Sequence, residues 1–246
     1  MRMLNFAKRN FKELVRDPIS LIFEIALPLF LLFIFQQFNL PENIYKLENF
    51  TPGIILFGLA FITLFSATLI SKDRSSSLLI RLGTSPMKSS DYILGYILSI
   101  IPIILIQEVL FFTLAIILGL SFSINVIFTI LISLLVSIFF ISLGILIGSV
   151  TSEKGTGGVG SVVVQLVCFT SGMYFPKEMV GSFFGIICQI LPFESCLNII
   201  RGILNNNLES ITILNKVIAI LITNTAGIII VIISINLFEN NIDDKY

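Results

Sequence analysis

The chain is built largely from apolar runs that are as long as a lipid bilayer is thick. The first run, from Ile19 to Phe38, has the length of about 20 residues that a helix needs to cross the hydrocarbon core. Of the 246 residues, 56% are hydrophobic and 12% are charged, whereas soluble domains carry about 25% charged residues. The chain is therefore predicted to be an all-α, polytopic membrane protein with a single membrane domain over residues 1–246.

Six transmembrane helices are predicted from these runs. Their approximate ranges are 19–38, 52–71, 92–119, 124–150, 157–175 and 211–237. Thr51-Pro52 fits the cap and first position of the second helix, and Pro102 would locally break the hydrogen-bond ladder of the third. Residues 176–205 contain two apolar segments that are each too short to cross. They predict a re-entrant or surface-lying helical hairpin on the outer side.

Residues 3–16 are predicted to form an amphipathic helix in the plane of the membrane surface. Apolar residues recur at spacings of three and four; they are Leu4, Ala7, Phe11, Leu14 and Val15. The other face carries the basic residues Lys8, Arg9, Lys12 and Arg16. A basic face of this kind binds anionic headgroups. Asp17-Pro18 ends the helix and turns the chain into the bilayer.

One long polar segment, from Lys72 to Tyr92, separates the second and third spans. Its basic residues are Lys72, Arg74, Arg81 and Lys88. This segment, the surface helix and Arg2 just before it together hold nine of the fifteen Lys and Arg residues, which predicts that both regions are cytoplasmic. Gly83 suits a helix end, and Ser85-Pro86 suits a helix start. We interpret the segment as an ordered docking element for a cytoplasmic partner; the alternative is a loop that only sets topology.

The composition excludes several kinds of functional site. Without histidine, the chain has no histidine metal site, no Ser-His or Cys-His nucleophile pair and no histidine proton relay. It has no GxxxxGKS/T motif, so it cannot bind ATP as a P-loop protein does. The net charge of zero gives no case for nucleic-acid binding. The three cysteines lack CxxC spacing; Cys188 and Cys196 either pair on the outer face or, as we expect, remain buried thiols.

Glycine residues in the second half of the chain are interpreted as packing positions. Gly144 and Gly148 are four residues apart, which suits close contact between helices. The run from Gly155 to Gly160 matches GxGxxG, but a nucleotide-binding fingerprint needs a preceding strand. Here a short inner loop, about 151–157, is expected instead. Small residues at the start of the fifth span therefore explain the match better.

A few polar side chains fall inside the predicted spans. Glu24 lies near the inner edge of the first span, where a pairing or interfacial role is predicted. Glu108 lies deeper and is the best candidate for a functional polar site in the membrane, the alternative being a hydrogen bond between helices. Thr63, Ser66 and Gln165 face either other helices or a transport pathway.

These features together resemble the permease subunits of type-2 ABC exporters, a group that includes antibiotic, drug and surface-glycan export permeases. The resemblance covers nearly the whole chain and rests on the order and spacing of its parts. Besides the surface helix and the six spans, those parts are Arg16-Asp17-Pro18, Lys72-Asp73-Arg74, Leu78 to Leu82, Ser85-Pro86-Met87, Leu94-Gly95-Tyr96, Ser171 to Pro176, Leu191-Pro192-Phe193 and Arg201-Gly202. The chain departs from the family pattern at Ser77, where glycine is frequent, and at Ile80, where an acidic residue is frequent. These departures put in doubt which side chain contacts the ATPase.

The resemblance implies a mechanism with partners. Two permease subunits would pair, as a homodimer or a heterodimer, and a separate ABC ATP-binding subunit would dock on each. ATP and Mg would bind to that subunit, so this chain would be no enzyme and would hold no cofactor or metal. Residues 72–91, the coupling segment, would receive the ATPase stroke; the implied coupling residues are Lys72, Asp73, Arg74, Arg81 and Pro86.

The resemblance also assigns the pathway and its outer closure. The second and fifth spans would line the pathway, for which the candidate residues are Thr63, Ser66, Glu108 and Gln165. The outer hairpin would form a lid, with Gly172, Pro176 and Pro192 at its bends. The cargo is expected to be hydrophobic or amphipathic: a drug, an antibiotic, a peptide or a lipid-linked compound. The expected location is a bacterial cell membrane, with both termini cytoplasmic.

Three other functions compete with this interpretation. An ion-coupled secondary transporter would use Glu108, but it predicts paired carboxylates and helices broken at the bilayer midplane. An intramembrane enzyme would lack the usual proteolytic groups, since there is no histidine and no aspartate inside a predicted span. A structural scaffold would not need an ordered basic segment between its spans.

Overall fold

The computed structural model describes residues 2–38, 43–76, 89–175, 181, 185–188 and 191–206. Within these ranges every regular element is helical. The α-helices are α1 (Arg2–Val15), α2 (Pro18–Leu21), α3 (Leu27–Gln37), α4 (Leu47–Ser75), α5 (Ser89–Ile117), α6 (Ile124–Val150), α7 (Glu153–Thr170) and α8 (Pro192–Leu204). A π turn, Ile22–Ala26, joins α2 to α3, and a 3-10 turn, Asn43–Tyr45, precedes α4.

Among the residues that the structure describes, four helices are long and apolar enough to cross a membrane. They are Pro18–Gln37, Leu47–Ser75, Asp91–Ile117 and Ile124–Val150, and they correspond to the first four predicted spans. The predicted fifth span is occupied by α7, which has 18 residues and whose first half is rich in glycine. The predicted sixth span, 211–237, lies outside the described residues, so the six-span topology stays a prediction.

The second span begins earlier than the sequence indicated. We expected Thr51-Pro52 to start it, but α4 begins at Leu47 and contains Pro52, so that prediction is wrong. The helix starts earlier because Lys46, whose backbone is extended, acts as its N-cap residue. Its carbonyl accepts the N–H of Phe50 at 2.8 Å and so closes the first helical turn. Proline this near the start of a helix removes a single backbone hydrogen bond.

The expected inner loop at 151–157 is shorter than predicted. It is reduced to two residues, because the Ser152 hydroxyl accepts the Gly155 N–H at 3.3 Å and caps α7. An N-cap serine with glutamate close behind it is a strong helix start, so α7 begins at Glu153 and includes the glycines. α5 runs from Ser89 to Ile117 and contains Pro102, which supplies no N–H to the hydrogen-bond ladder of the helix.

α4 is the central helix of the described bundle. It is almost entirely buried and packs against α3, α5, α6 and α7, while α1 packs against α5. We call the end of the bundle that carries α1 and Lys72 the α1 end, and the opposite end, which carries α8, the α8 end. Both ends of α4 therefore lie where other elements meet, and any displacement of α4 must disturb its neighbours.

Gly144 and Gly148 bring α6 into close contact with α4, as predicted. A Cβ atom on Gly148 would lie 2.5 Å from the carbonyl oxygen of Ala67, and one on Gly144 would lie 2.5 Å from that of Thr63. No side chain larger than hydrogen fits at either position. The close approach also lets the Thr63 hydroxyl donate to the Phe140 carbonyl at 3.0 Å.

The glycine run at the start of α7 makes a close helix contact at Gly160. A Cβ atom on Gly160 would lie 3.2 Å from both Cα and Cβ of Leu64. Gly157 and Gly158 have no such neighbour within 4 Å among the described residues. The prediction that this run serves close packing is therefore confirmed for Gly160 and stays a prediction for Gly157 and Gly158.

α8 packs along the half of α6 that is nearer the α8 end, where the Asn125 side chain donates to the Leu204 carbonyl at 3.4 Å, and it does not span the bundle. Its 13 residues extend about 20 Å, which is too short to cross a bilayer. The ring of Phe193 stacks on that of Phe140 on α6, with centroids 6.0 Å apart. Cys196 is a buried free thiol, as expected, so the alternative pairing with Cys188 is not formed.

Candidate functional site

A cluster of charged residues at the α1 end joins three helices. Arg9 of α1 lies 2.7 Å from Asp73 of α4 and 2.6 Å from Glu13. Glu13 also pairs with Lys72 at 2.9 Å. The hydroxyl of Tyr96, on α5, donates to Asp73 at 2.9 Å. These five residues, which we call the ion-pair cluster, connect the surface helix to the last turn of α4 and to the first half of α5.

Asp73 is the buried centre of the ion-pair cluster. Its side chain is 2% exposed, whereas that of Arg9 is 39% exposed. A buried carboxylate that lacks partners costs several kcal/mol; here the guanidinium and the phenol satisfy it. Burial opposes the positive charge of Arg9, but the hydrogen bond and charge of Asp73 outweigh burial and raise the pKa of Arg9 above its ordinary value. Arg9 therefore stays charged throughout the physiological pH range.

Aromatic packing sets the position of α1 against α5. The ring of Phe6 lies edge-on to Tyr92 and Tyr96, with centroid distances of 5.4 and 5.1 Å. Gly95 makes room for it, since a Cβ there would lie 2.6 Å from Cδ1 of Phe6. Phe6 is one helical turn before Arg9. Its seat on α5 therefore holds Arg9 in register with Asp73.

The last turn of α4 is also tied to the turn between α6 and α7. The Arg74 guanidinium donates to the Thr151 carbonyl at 2.7 Å, and the Ser75 hydroxyl lies 2.5 Å from a Glu153 carboxyl oxygen. The coupling segment continues directly from this turn. Two of its predicted coupling residues, Arg81 and Pro86, lie outside the described residues.

Glu108 is buried inside the bundle. It is 1% exposed, and neither carboxyl oxygen has a hydrogen-bond partner among the described residues. Ser133 of α6 lies beside the carboxyl group, but its hydroxyl donates to the carbonyls of Thr129 and Ile130. A polar group in this setting costs free energy, which is the observation that keeps Glu108 a candidate functional residue.

Gln107 and Glu24 form a separate polar contact beside Glu108. Pro28 has no N–H and therefore cannot bond the carbonyl of Glu24, four residues earlier. The side-chain amide of Gln107 donates to that carbonyl at 3.5 Å. Neighbouring helices satisfy proline-freed carbonyls in this way in membrane helices. The π turn that contains Glu24 is a second sign of this local irregularity.

An apolar groove of about 430 Å³ runs between the first span, α4 and α7. Its wall is mainly apolar, and the polar residues on it are Ser20, Thr68, Ser161 and Gln165. Gln165 is exposed in this groove. Thr63 and Ser66 are fully buried at the contact between α4 and α6. Of the predicted pathway residues, Gln165 therefore lies on an open surface, whereas Thr63 and Ser66 lie in the packed contact between two helices.

The predicted lid residues surround a second set of contacts at the α8 end. Gly172 has a positive φ of 75° and its carbonyl accepts from Arg201 at 3.4 Å. Arg201 also donates to the Asn49 carbonyl at 2.9 Å, which ties α8 to the start of α4. Pro192 is the first residue of α8. Pro176 lies outside the described ranges.

The order of these elements identifies the family. Residues 3–205 match the ABC-2 type transporter family. The chain belongs to this family. No curated protein matches the chain. The permease component of an ABC transporter is a transport subunit and is not itself catalytic, which agrees with the lack of a P-loop motif in this ABC-2 protein.

Some site residues of this ABC-2 protein could not be found by sequence reasoning. The predicted residues Lys72 and Asp73 are present in the ion-pair cluster, but Arg9, Glu13 and Tyr96 were not predicted to join them. The one available signal was Asp73 itself, an acidic residue at the end of an apolar helix. In the described part of the chain, no group of three or more His, Cys, Asp or Glu side chains could hold a metal ion.

Proposed function

We propose that this chain is the membrane-spanning subunit of an ATP-driven ABC exporter, energised by a separate ATP-binding subunit. Membership of the ABC-2 type transporter family over residues 3–205 carries the proposal. The absence of a P-loop motif from the sequence supports a separate source of energy. The basic residues of the α1 end support a cytoplasmic position for that end, in a bacterial cell membrane with both termini inside.

The coupling segment would pass force from the ATPase to the helices through the ion-pair cluster. A push on residues 77–88 would reach the last turn of α4 directly. Asp73 would carry it to α1 and α5 through Arg9 and Tyr96, and Arg74 would carry it to the α6–α7 turn. Rigid packing transmits such displacements between discrete arrangements. The contacts of α4 support its role as the moving element.

The apolar groove would form one wall of the transport pathway. It lies between the first, second and fifth spans, with Gln165 exposed on its surface. Its mainly apolar lining supports a hydrophobic or amphipathic cargo, such as a drug, an antibiotic, a peptide or a lipid-linked compound. A second permease subunit, in a homodimer or a heterodimer, would supply the opposite wall. The contacts of Arg201 support the α8 end as the outer lid.

Substituting alanine for both Arg81 and Pro86 is expected to reduce cargo-stimulated ATP hydrolysis by at least about tenfold. The two residues are the assigned contact with the ATPase, and loss of contact uncouples hydrolysis from the membrane subunit. Hydrolysis is measured in purified complexes, and the amount of chain in the membrane is measured by immunoblot. Lys154→Ala, which removes an exposed cation from the first turn of α7 at the same end of the bundle, serves as the control. A wild-type rate of cargo-stimulated ATP hydrolysis in the double variant would show that Arg81 and Pro86 are not the contact with the ATPase.

A second candidate function is ion-coupled secondary transport through Glu108. The buried carboxyl group without hydrogen-bond partners favours it, since membrane carboxylates frequently serve ion pathways. Against it, Glu108 lies in packed protein, and no second carboxylate is paired with it among the residues that the structure describes.

The variant Glu108→Gln separates the two functions. If transport is driven by ATP, its rate in the variant is expected to stay within about twofold of the wild-type rate. The glutamine amide has the same shape as the carboxyl group, and ATP-driven transport does not require an ion to bind at this position. Transport is measured in vesicles with ATP present and with ion gradients collapsed by ionophores. Loss of transport in the variant, together with ionophore sensitivity in the wild type, would instead establish the ion-coupled function.

A further inference from the structure

A basic groove lies beside the ion-pair cluster, between α1 and the start of the first span. Its volume is about 740 Å³. The charged side chains along it are Lys8, Arg9, Lys12, Glu13, Arg16, Asp17 and Lys72. Five of these are cationic and two are acidic, so the groove has a positive net charge.

The positive charge is concentrated on three side chains without acidic partners. Glu13 is already paired with Arg9 and Lys72. Lys8, Lys12 and Arg16 are exposed, and none of them forms an ion pair within the described ranges. These three side chains offer ammonium and guanidinium donors to an anion, and phosphate is the anion that they bind best.

Asp17, an acidic residue that lines the groove, accepts hydrogen bonds from its own chain. Asp17 accepts the N–H and the hydroxyl of Ser20, at 3.3 and 2.6 Å. The hydrogen bond from the Ser20 hydroxyl lowers the pKa of Asp17 below its ordinary value. Its carboxylate therefore caps α2 and forms no ion pair with the lysines of α1 within the described ranges, although its charge still counts in the net charge of the groove.

The groove lies at the edge of the apolar part of the bundle. Pro18 is the first residue of a 20-residue apolar span, and Lys72 lies in the last turn of the second. An amphipathic helix such as α1 lies at the level of the lipid headgroups. The basic groove therefore opens at that level.

A narrow gap of about 40 Å³ connects the basic groove to the apolar groove described above. The gap shares Glu13, Asp17 and Lys72 with the basic groove. It shares Ser20, Phe65 and Thr68 with the apolar groove. One continuous surface is therefore cationic at one end and apolar at the other.

We propose that this surface binds an anionic phospholipid of the cytoplasmic leaflet. Its phosphate contacts Lys8, Lys12 and Arg16, and an acyl chain follows the first span into the apolar groove. The headgroup and the acyl chain each lie against a suitable surface. Basic side chains near a membrane surface attract anionic headgroups, and the apolar wall of the groove contacts the acyl chain. The bound lipid would also lie against the Glu13–Lys72 ion pair and so stabilise the position of α1 at the end of α4.

The proposal is tested by native mass spectrometry of the purified protein, with any subunits that accompany it, titrated with phosphatidylglycerol or phosphatidylcholine of identical acyl chains. We expect phosphatidylglycerol to bind at least about tenfold more tightly. The variant Lys8→Gln with Lys12→Gln should lose about tenfold in affinity for phosphatidylglycerol. Lys46→Gln with Lys154→Gln removes two exposed cations elsewhere and should bind as wild type does. Lys8→Arg with Lys12→Arg should restore binding.

Two further experiments test whether the bound phosphate belongs to a lipid and whether the apolar groove takes part in binding. Inorganic phosphate at the same concentration should not displace phosphatidylglycerol; equal affinity for phosphate would overturn the lipid assignment. Thr68→Trp fills the connecting gap without changing charge and should weaken phosphatidylglycerol binding. Equal binding of the two lipids, or unchanged binding in the glutamine variant, would also overturn the proposal. The titration needs neither ATP nor cargo, so its outcome is independent of the proposed transport function.

Discussion

Alanine in place of Gly148 is expected to lower the melting temperature of the purified protein by about 4–8 °C. The added Cβ would lie 2.5 Å from the Ala67 carbonyl oxygen and 3.0 Å from the Ile70 Cβ. Two helix backbones would have to separate, and overpacking of this kind costs about 1–3 kcal/mol. Unfolding is followed by the fluorescence of a thiol-reactive dye, which reports exposure of the buried cysteines. The same substitution at Gly144, which meets the Thr63 carbonyl oxygen at 2.5 Å, should act similarly.

Gly158→Ala is the matched control for this result. Gly158 also lies in a helix, but no described atom would meet its Cβ within 4 Å. Alanine is favoured over glycine inside a helix by about 1 kcal/mol, so this variant should be at least as stable as the wild type. A Gly148→Ala protein as stable as Gly158→Ala would show that α4 and α6 are not in the contact described here.

Replacing Arg9 with alanine is expected to lower the free energy of unfolding by about 2 kcal/mol, and the melting temperature by about 4–8 °C. Asp73 would remain buried with only Tyr96 as a partner. The expected cost lies below the roughly 3–5 kcal/mol for removing one partner of a fully buried pair, because Arg9 is 39% exposed to water and its charge is partly screened. The same change should reduce cargo-stimulated ATP hydrolysis, since α1 would lose its charged link to α4.

Lys12→Ala separates this pairing from a general loss of positive charge. Lys12 is on the same helix and is exposed, so it should change the melting temperature by less than about 2 °C. A double-mutant cycle with Arg9→Ala and Asp73→Asn should give a coupling energy above about 1 kcal/mol. Additive effects in this cycle would show that the ion pair contributes nothing to stability.

The helices of this protein were largely predictable because membrane helices have a strong local signal. Apolar runs of sufficient length located the four spans, and a regular spacing of apolar residues located α1. The spacing of Gly144 and Gly148 correctly predicted a close helix contact, since only glycine allows backbones to approach so nearly. Each of these signals depends on residues that are neighbours in sequence.

The boundaries that were wrong depended on competition between local signals. Thr51-Pro52 has the form of a helix start, but the Lys46 carbonyl had already closed a turn. An inner loop was predicted at 151–157, but the cap at Ser152 starts α7 at Glu153. Local propensities are small in size, and a cap or the packing of a neighbouring helix outweighs them.

The ion-pair cluster was not predictable because it joins residues far apart in the chain. Arg9 and Asp73 are 64 positions apart, and their pairing depends on how α1 is seated against α5 by Phe6. The resemblance to type-2 ABC permeases implied that Asp73 takes part in coupling to the ATPase. In the structure Asp73 contacts Arg9 and Tyr96 of its own chain, and contact between the coupling segment and an ATPase stays a prediction.

The most direct test of the account is purification of the tagged chain from its native host in mild detergent, followed by mass analysis of the proteins that accompany it. The account predicts a stoichiometric ABC ATP-binding subunit, which is lost when residues 72–88 are scrambled and retained when Lys46 is replaced. A homo-oligomer that transports cargo without any ATPase would contradict the account and would make Glu108 the centre of the mechanism.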